Sequence, residues 1–300
     1  MCNLTIIEVA LEYVKRKCTK CLCLTLVDFL IRQTNTGFFI LIRFNHATYY
    51  INMRIIAATL GLIGLLTIAC LFSKRAEMKK TSIYNVSKLK QSMKIDGNWE
   101  KPQWQNIKAI DINNNLGDIP KFRPFVQAKM MYDDENIYVI FSVKDRYVHC
   151  VAHDFNGSIW EDSCVEFFFS PDTSLPGKYF NLEINCGGTP LMHYNIVPRK
   201  EYKILETEDI KKIEIAHSLP QKVDPEITEP VTWTIEYRIP IAILEKYSNI
   251  THPKHGIIWR ANFYKIADKT SNPHYLTWSK IHAIQPDFHL PQFFGTLKFE

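Results

Sequence analysis

The feature that most constrains the fold is a succession of short alternating runs that begins after Lys80. Residues 126–132 and 137–143 are rich in β-branched and aromatic side chains, and the polar stretch 133–136 lies between them, so these pieces predict a β-hairpin. Many short strands separated by turns favour a sandwich or barrel. The sequence therefore predicts an all-β fold for residues 81–300, with further strands at 164–169, 179–186, 191–197, 212–217, 231–239, 257–266, 275–278 and 295–299.

The exceptions to the strand pattern are few. Residues 241–247 follow Pro240, which the first turn of a helix tolerates, so this stretch predicts one short helix. No glycine-rich phosphate loop occurs, and Gly187-Gly188 is a turn rather than a nucleotide fingerprint. The domain has an odd number of cysteines, which predicts small buried thiols rather than a disulfide framework: Cys150, Cys164 and Cys186.

Charge divides the chain into two parts. Of its 36 Lys+Arg and 31 Asp+Glu residues, positions 1–80 hold 11 and 4, and positions 81–300 hold 25 and 27. The basic excess thus lies outside the predicted β-domain, which carries no electrostatic footprint for nucleic acid. A basic end of this kind indicates targeting or membrane contact. We therefore expect no nucleic-acid partner, and membrane contact through the N-terminal segment alone.

An apolar run without a charged residue occupies positions 55–72, directly after Arg54. It is either a membrane-spanning helix or the apolar part of a secretion signal. Translation from Met53 would give a signal with a very short basic head, and residues 1–52 would then be an extension that is not part of the protein. The sequence thus predicts a signal peptide or membrane anchor at 53–80.

The end of this run resembles a bacterial lipoprotein cleavage box. Leu66-Thr67-Ile68-Ala69 precedes Cys70, which would be lipidated and become the mature N-terminus. A cleaved signal without lipid and an uncleaved anchor are the alternatives. All three place residues 81–300 outside the cytoplasm, so we expect an exported cell-envelope protein, either a lipoprotein or a membrane-anchored one.

The best candidate site is the segment from Trp160 to Glu166, which contains Glu161 and Asp162 and leads into a predicted strand. Alternate residues of a strand share a face, so two of these carboxylates could serve as acid and base in glycoside hydrolysis. A polar turn ahead of a strand is a second interpretation. Trp160 and Glu166 favour a third, sugar binding, because an indole stacks on a sugar ring and a carboxylate accepts hydrogen bonds from neighbouring hydroxyls.

Polar residues near the C-terminus are further candidates. Arg260 and Asn262 share one face of a predicted strand, and that face is either solvent-exposed or a site. The sequence likewise does not decide whether Trp278 is a core residue or a site residue. In contrast, we predict core positions for the nearby aromatic residues Trp259, Phe293, Phe294 and Phe299.

Metal and cofactor candidates are weaker. Asp133, Asp134 and Asp145 could supply oxygen ligands to calcium, although Asp133 and Asp134 also suit a simple turn. His149 and His153 are four residues apart, the spacing of a shared metal on a helix, but they follow a strand and favour an incidental loop.

The ordered set of these motifs resembles the family 9 carbohydrate-binding modules over nearly all of residues 85–300. The motifs that carry the resemblance are Lys94-Ile95-Asp96-Gly97 through Trp104, the hairpin at Tyr132-Asp133, the segment Ile159 to Glu166, Trp259-Arg260-Ala261-Asn262-Phe263 and Phe294-Gly295-Thr296-Leu297.

This resemblance implies a β-sandwich of jelly-roll type, often with structural calcium, that binds mono- or oligosaccharides between two Trp rings. Trp160 matches the first ring and Glu166 a hydroxyl-binding carboxylate, and Trp278 is the choice for the second ring. Gly187-Gly188 stands near the position where the family has an Arg.

Other functions remain open at this point. Modules of this family usually accompany a catalytic domain, so a separate glycoside hydrolase is an expected partner, and a role in polysaccharide catabolism follows. A hydrolase is one alternative function. A haem-binding sandwich, with His149, His153 or a Met as axial ligand, is another.

Overall fold

The structure is a computed structural model that describes residues 28–34, 37–44, 47–52, 82–91 and 93–300. The first three ranges form an antiparallel meander of β1 (Asp28–Thr34), β2 (Gly37–Phe44) and β3 (Ala47–Asn52), which the sequence did not predict. This sheet and the residues from Ser82 onward belong to separate units. The apolar run at 55–72, with Cys70, lies outside the described residues. Among the described residues, no helix is long and apolar enough to cross a membrane.

The larger unit is built almost entirely of strands. In chain order they are β4 (Ile83–Lys88), β5 (Ile110–Asp111), β6 (Asn114–Asn115), β7 (Phe125–Tyr132), β8 (Asn136–Asp145), β9 (Val148–Cys150), β10 (Ser163–Ser170), β11 (Tyr179–Asn185), β12 (Pro190–Val197), β13 (Glu201–Ile204), β14 (Glu214–His217), β15 (Val223–Ile227), β16 (Val231–Pro240), β17 (Ile258–Ala267), β18 (His274–Thr277) and β19 (Gly295–Phe299). The helices are α1 (Pro102–Gln105), α2 (Thr207–Ile210) and α3 (Ile241–Glu245), with single 3-10 turns at Ile159–Glu161 and Pro291–Phe293.

These elements confirm the all-β prediction. The hairpin is β7 and β8, joined across Asp133–Asn136 with Tyr132 opposite Ile137. The predicted helix after Pro240 is α3, which ends at Glu245 rather than at residue 247. The structure adds two short helices and six strands to the prediction for this unit. The helices and four of the strands have two to four residues, which is too few to show a periodicity in the sequence, whereas β4 and β15, of six and five residues, were missed.

Apart from β9 and β15, which pair with each other in a separate two-stranded sheet, the strands of this unit form one curled sheet whose two halves pack as a sandwich. The first half runs β13-β12-β11-β10-β17-β19, and the second runs β4-β7-β8-β16-β14. The halves are continuous through β4, which pairs in parallel with both β19 and β7, while the other pairs are antiparallel. β4, the first strand of this unit, is therefore an interior strand of the sheet, with the last strand, β19, on one side and β7 on the other.

The core lies between the two halves and follows the period-two pattern of the strands. On β10, Val165, Phe167 and Phe169 point into it, and Phe167 stacks on Phe263 of β17 with ring centroids 4.7 Å apart. The opposite side chains of β10, such as Glu166, face away from this core. The three cysteines of this unit are buried and unpaired, as predicted: Cys150, Cys164 and Cys186.

A buried carboxylate holds residues 94–104 against the outer face of the second half of the sheet. Glu236 of β16 is fully buried and accepts hydrogen bonds from the backbone of Asp96 and Gly97, from Lys101 Nζ at 2.8 Å and from Trp104 Nε1 at 2.8 Å. The ion pair and the hydrogen bonds offset the cost of burying the charge. The motif from Lys94 to Trp104 therefore has a structural role around Glu236.

Candidate functional site

A cleft opens on the outer face of the first half, where β10, β11 and β12 lie side by side. The period of two places Glu166 of β10, Asn181 and Glu183 of β11, and His193 of β12 on this face. The cavity has a volume of about 360 Å³, at the small end of the ~300–1,000 Å³ typical of small-molecule sites. We call it the Trp160 cleft, after the indole that lines it.

Aromatic rings line the Trp160 cleft and are partly open to solvent. Trp160 is 40% exposed, and its 3-10 turn is held by hydrogen bonds from the backbone of Asp268 and Lys269. Tyr202 of β13 is 50% exposed and stacks on His193 with ring centroids 5.0 Å apart and planes 19° apart. The cleft thus offers two broad apolar faces with polar edges.

A chain of buried amides and carboxylates lines the cleft on β11 and β12. Asn195 Nδ2 donates to Asn181 Oδ1 at 2.6 Å, and Asn181 Nδ2 donates to Glu183 Oε1 at 2.8 Å. Within the described residues, Glu183 Oε2 and His193 Nε2 are buried without a hydrogen-bond partner. Such groups are costly to leave unsatisfied, so these two atoms are positions for a ligand or water.

Burial shifts the pKa values of the glutamate and histidine side chains that line the cleft. It raises the pKa of Glu183 to about 7 and the pKa of Glu166 well above its usual range, and the charge of Glu183 raises the latter further. Burial also lowers the pKa values of His193 and His289 to about 4. At neutral pH both histidines are therefore neutral, and the glutamates resist holding two negative charges together.

An ion pair lies at the rim. Arg199, in the turn between β12 and β13, has a positive φ of 62°. Its Nη2 and Nε atoms donate to Asp287 Oδ1 at 2.7 and 3.1 Å. Next to Asp287, the ring of His289 bonds the hydroxyl of Tyr179 at 2.7 Å. These contacts join the segment around residue 287 to the sheet and complete the wall of the cleft.

The structure brings two of the predicted site residues together, Trp160 and Glu166. It does not bring Trp278 to them. That indole packs edge-on against Phe263 at 5.7 Å and lines a different hollow, near Tyr84 and Asn114. The structure therefore does not place Trp278 beside Trp160, because the backbone N–H of Trp278 donates to Phe263 O and its indole lines the other hollow. A ligand-binding role for Trp278 stays a prediction.

Arg260 and Asn262 also lie outside the cleft. Arg260 donates to the carbonyl of Phe294. Asn262 is fully buried, donates to Ser279 O at 2.9 Å and accepts from Ser279 N at 2.8 Å. Both side chains hold the segment after β18 against β17, so the structure gives them a structural contact and does not bring them to Glu166. A ligand-binding role for them stays a prediction.

The other carboxylates near Trp160 do not join Glu166. Asp162 accepts hydrogen bonds from the backbone of Val151 and Ala152 and from Asn185 Nδ2 at 3.0 Å, which fixes the loop after β9. Glu161 pairs with Lys269 at 2.7 Å. An acid–base pair drawn from this segment therefore has no geometric support.

The calcium candidates are occupied by other contacts. Asp133 shapes the hairpin turn by accepting from the backbone of Glu135 and Asn136, and Asp134 pairs with Lys88. Asp145 is fully buried and pairs with Lys265 at 3.2 Å. Across the described ranges, no group of three or more His, Cys, Asp or Glu side chains could hold a metal ion.

His149 and His153 line a shallow hollow away from the Trp160 cleft. His149 Nδ1 lies 3.8 Å from Asp162 Oδ1, and His153 is largely exposed. His149 lies within β9 and His153 in the loop after it, so the two do not share a helix face.

Most of the polar lining of the cleft was not among the candidates that the sequence offered: Asn181, Glu183, His193, Asn195, Arg199, Tyr202, Asp287 and His289. A signal was present for those on β11 and β12, where polar residues occupy alternate positions of otherwise apolar strands. No local signal marks Arg199 or Asp287, because they meet only through the fold.

No curated protein matches the chain. The profile described as carbohydrate-binding family 9 matches residues 92–299. A crystal structure of a protein from Bacteroides uniformis proposed to bind carbohydrate is 29% identical, has a TM-score of 0.66, and covers 74% of this chain and 100% of its own.

Two further solved structures are of a family 9 module from Caldicellulosiruptor kristjanssonii, in complex with glucose and with cellotriose. Each is 15% identical with a TM-score of 0.47; they cover 73% of this chain and 96% and 94% of their own. The family profile spans more than half of the chain. The chain therefore belongs to carbohydrate-binding family 9, which confirms the resemblance found in its motifs and supports carbohydrate binding as its function.

Proposed function

We propose that the chain binds a mono- or oligosaccharide in the Trp160 cleft without altering it chemically. Three other indoles of the domain, Trp104, Trp233 and Trp259, are fully buried, whereas Trp160 keeps 40% of its surface exposed at the cleft. An exposed ring costs free energy that a ligand recovers on covering it. The C–H face of a pyranose is a suitable cover, and Tyr202 supplies a second ring.

The polar lining complements the hydroxyl groups of a sugar. Glu166 and the free Oε2 of Glu183 accept hydrogen bonds, and Asn195 and Arg199 add donors next to them. Each sugar hydroxyl both donates and accepts, as this mixed lining requires. The observation that carries the proposal is the combination of an exposed indole and unpartnered buried polar atoms in one cleft.

A glycan array followed by calorimetric titration of the purified protein tests this proposal. We expect saturable binding of at least one mono- or oligosaccharide. Failure to bind any sugar at millimolar concentration would refute the function.

We propose no hydrolysis at this site. The acid and the second carboxylate of a glycoside hydrolase flank the scissile bond, whereas Glu166 and Glu183 project side by side from one sheet face. We expect no reducing sugar to be released from oligosaccharides that bind. A separate glycoside hydrolase would then supply the chemistry in polysaccharide breakdown.

We also propose that the protein is exported and held at the cell envelope by residues 53–80. The uncharged run at 55–72 and the basic excess of residues 1–80 support this. In a bacterial host, the parent chain should incorporate a fatty-acid analogue and Cys70→Ala should not, leaving an unprocessed band. Equal labelling of both, or none in the parent, would contradict lipidation.

A further inference from the structure

We propose that the Trp160 cleft selects amino sugars, pyranoses that carry a protonated primary amine; this inference rests on the proposed function. Glu166 of β10 and Glu183 of β11 are direct register partners, and only 2% and 5% of their surfaces are exposed. Partners of this kind have Cβ atoms about 4.5–5.5 Å apart. A single ammonium group can therefore contact both carboxylates.

Among the described residues, cations offset the charge of these two carboxylates only in part, and the Arg199 guanidinium lowers the pKa values of both against the larger effect of burial. Arg199 is the one permanent cation among the described residues that line the cleft, and Asp287 already engages its guanidinium. Lys265, on the opposite face of the sheet, pairs with Asp145. The remaining titratable groups facing the cleft add no positive charge at neutral pH: His193, His289 and Tyr275.

The carboxylate oxygen of Glu183 that lacks a hydrogen-bond donor in the described part of the chain also suits an amine. Its Oε1 accepts from Asn181, while Oε2 has no partner within the described residues. An ammonium group carries three donors, enough for both glutamates and one further acceptor, whereas a hydroxyl has one. Charge-assisted hydrogen bonds are about twice as strong as neutral ones, so the amine gains more from this position than a hydroxyl.

A neutral sugar does not relieve the charge repulsion between the two carboxylates. The mutual repulsion and burial that raise the pKa values of Glu166 and Glu183 favour retention of a proton. An ammonium ion between them reverses this effect, because an opposite charge favours the ionised carboxylate. Binding of an amino sugar should therefore release protons from the protein, and binding of a neutral sugar should not.

Calorimetric titration at pH 7 with glucosamine, glucose and N-acetylglucosamine tests the inference. N-acetylglucosamine is the matched ligand, since acetylation removes the charge and keeps the nitrogen. A gain of roughly 1.4 kcal/mol from charge-assisted bonding corresponds to about tenfold. We expect glucosamine to bind about tenfold more tightly than glucose, and titrations in buffers of different ionisation enthalpy to show proton release with glucosamine alone.

Variants localise the effect. Glu183→Gln keeps the acceptor for Asn181 and should reduce the glucosamine-to-glucose affinity ratio to about one; Glu166→Gln provides a second measurement of the same ratio. The control is Glu161→Gln, which removes a nearby carboxylate outside the cleft and should retain the tenfold ratio.

Glucose binding with no preference for glucosamine would overturn this inference and leave the proposed function intact. A preference that persists in both glutamine variants would overturn it as well. Failure of all sugars to bind would instead refute the proposed function.

Discussion

Replacing Trp160 with Ala should remove most of the sugar affinity while leaving the fold intact. A Trp side chain presents up to about 250 Å² of surface, and the 40% that is exposed amounts to about 100 Å². At ~25 cal/mol per Å², covering all of it contributes about 2.5 kcal/mol, and covering half contributes about 1.2 kcal/mol. The expected loss of affinity is thus about 10- to 70-fold.

Calorimetric titration and thermal melts on the same samples provide the assay. The ring is not part of the sandwich core, so its truncation should cost well below the ~3–5 kcal/mol typical of a buried Trp. Trp278→Phe is the matched control, because that indole lies outside the cleft against Phe263. It should leave the affinity of the folded protein unchanged.

Two results would refute this reasoning. One is a large fall in melting temperature of Trp160→Ala with unchanged affinity, which would make the ring structural. The other is a greater loss of affinity in Trp278→Phe than in Trp160→Ala, which would place the site at the other hollow.

Three further predictions concern stability. Glu236→Gln should destabilise the fold by about 3–5 kcal/mol in denaturant titrations, since it removes the buried partner of Lys101; the exposed control Glu214→Gln should cost under ~1 kcal/mol, and equal effects would contradict this role. Because burial raises the pKa of Glu183 from 4.5 to about 7, the folded protein retains a proton that the unfolded chain releases. Glu183 should then contribute a loss of stability of on the order of 3 kcal/mol as pH rises from about 4.5 to about 7, while His193 and His289, whose pKa values burial lowers to about 4, contribute in the opposite direction between about pH 4 and 6.5. The difference between the parent and Glu183→Gln isolates the glutamate, and identical pH profiles of the two would disprove its contribution. A fragment of residues 81–300 should be soluble and unfold cooperatively, and aggregation that only residues 1–52 reverse would show otherwise.

Local pattern was sufficient for the architecture and for one part of the site. Alternation along single strands predicted the all-β fold and the β7–β8 hairpin, because the period of two is a property of each strand alone. Trp160 and Glu166 are six residues apart on a turn and the strand that follows it, so their proximity is also nearly local. The sequence alone was therefore enough to predict that these two side chains lie close together.

The rest of the site depended on contacts between distant segments. Alternation showed that Arg260 and Asn262 share a strand face, but not that the segment from Ser279 to Phe294 covers it. Likewise, Glu183 meets Glu166 only through the register of β10 with β11, and Arg199 meets Asp287 across 88 residues of chain. Strand periodicity specifies the side on which a residue projects, whereas packing of the whole chain decides which side is covered, and therefore which polar residues form the cleft.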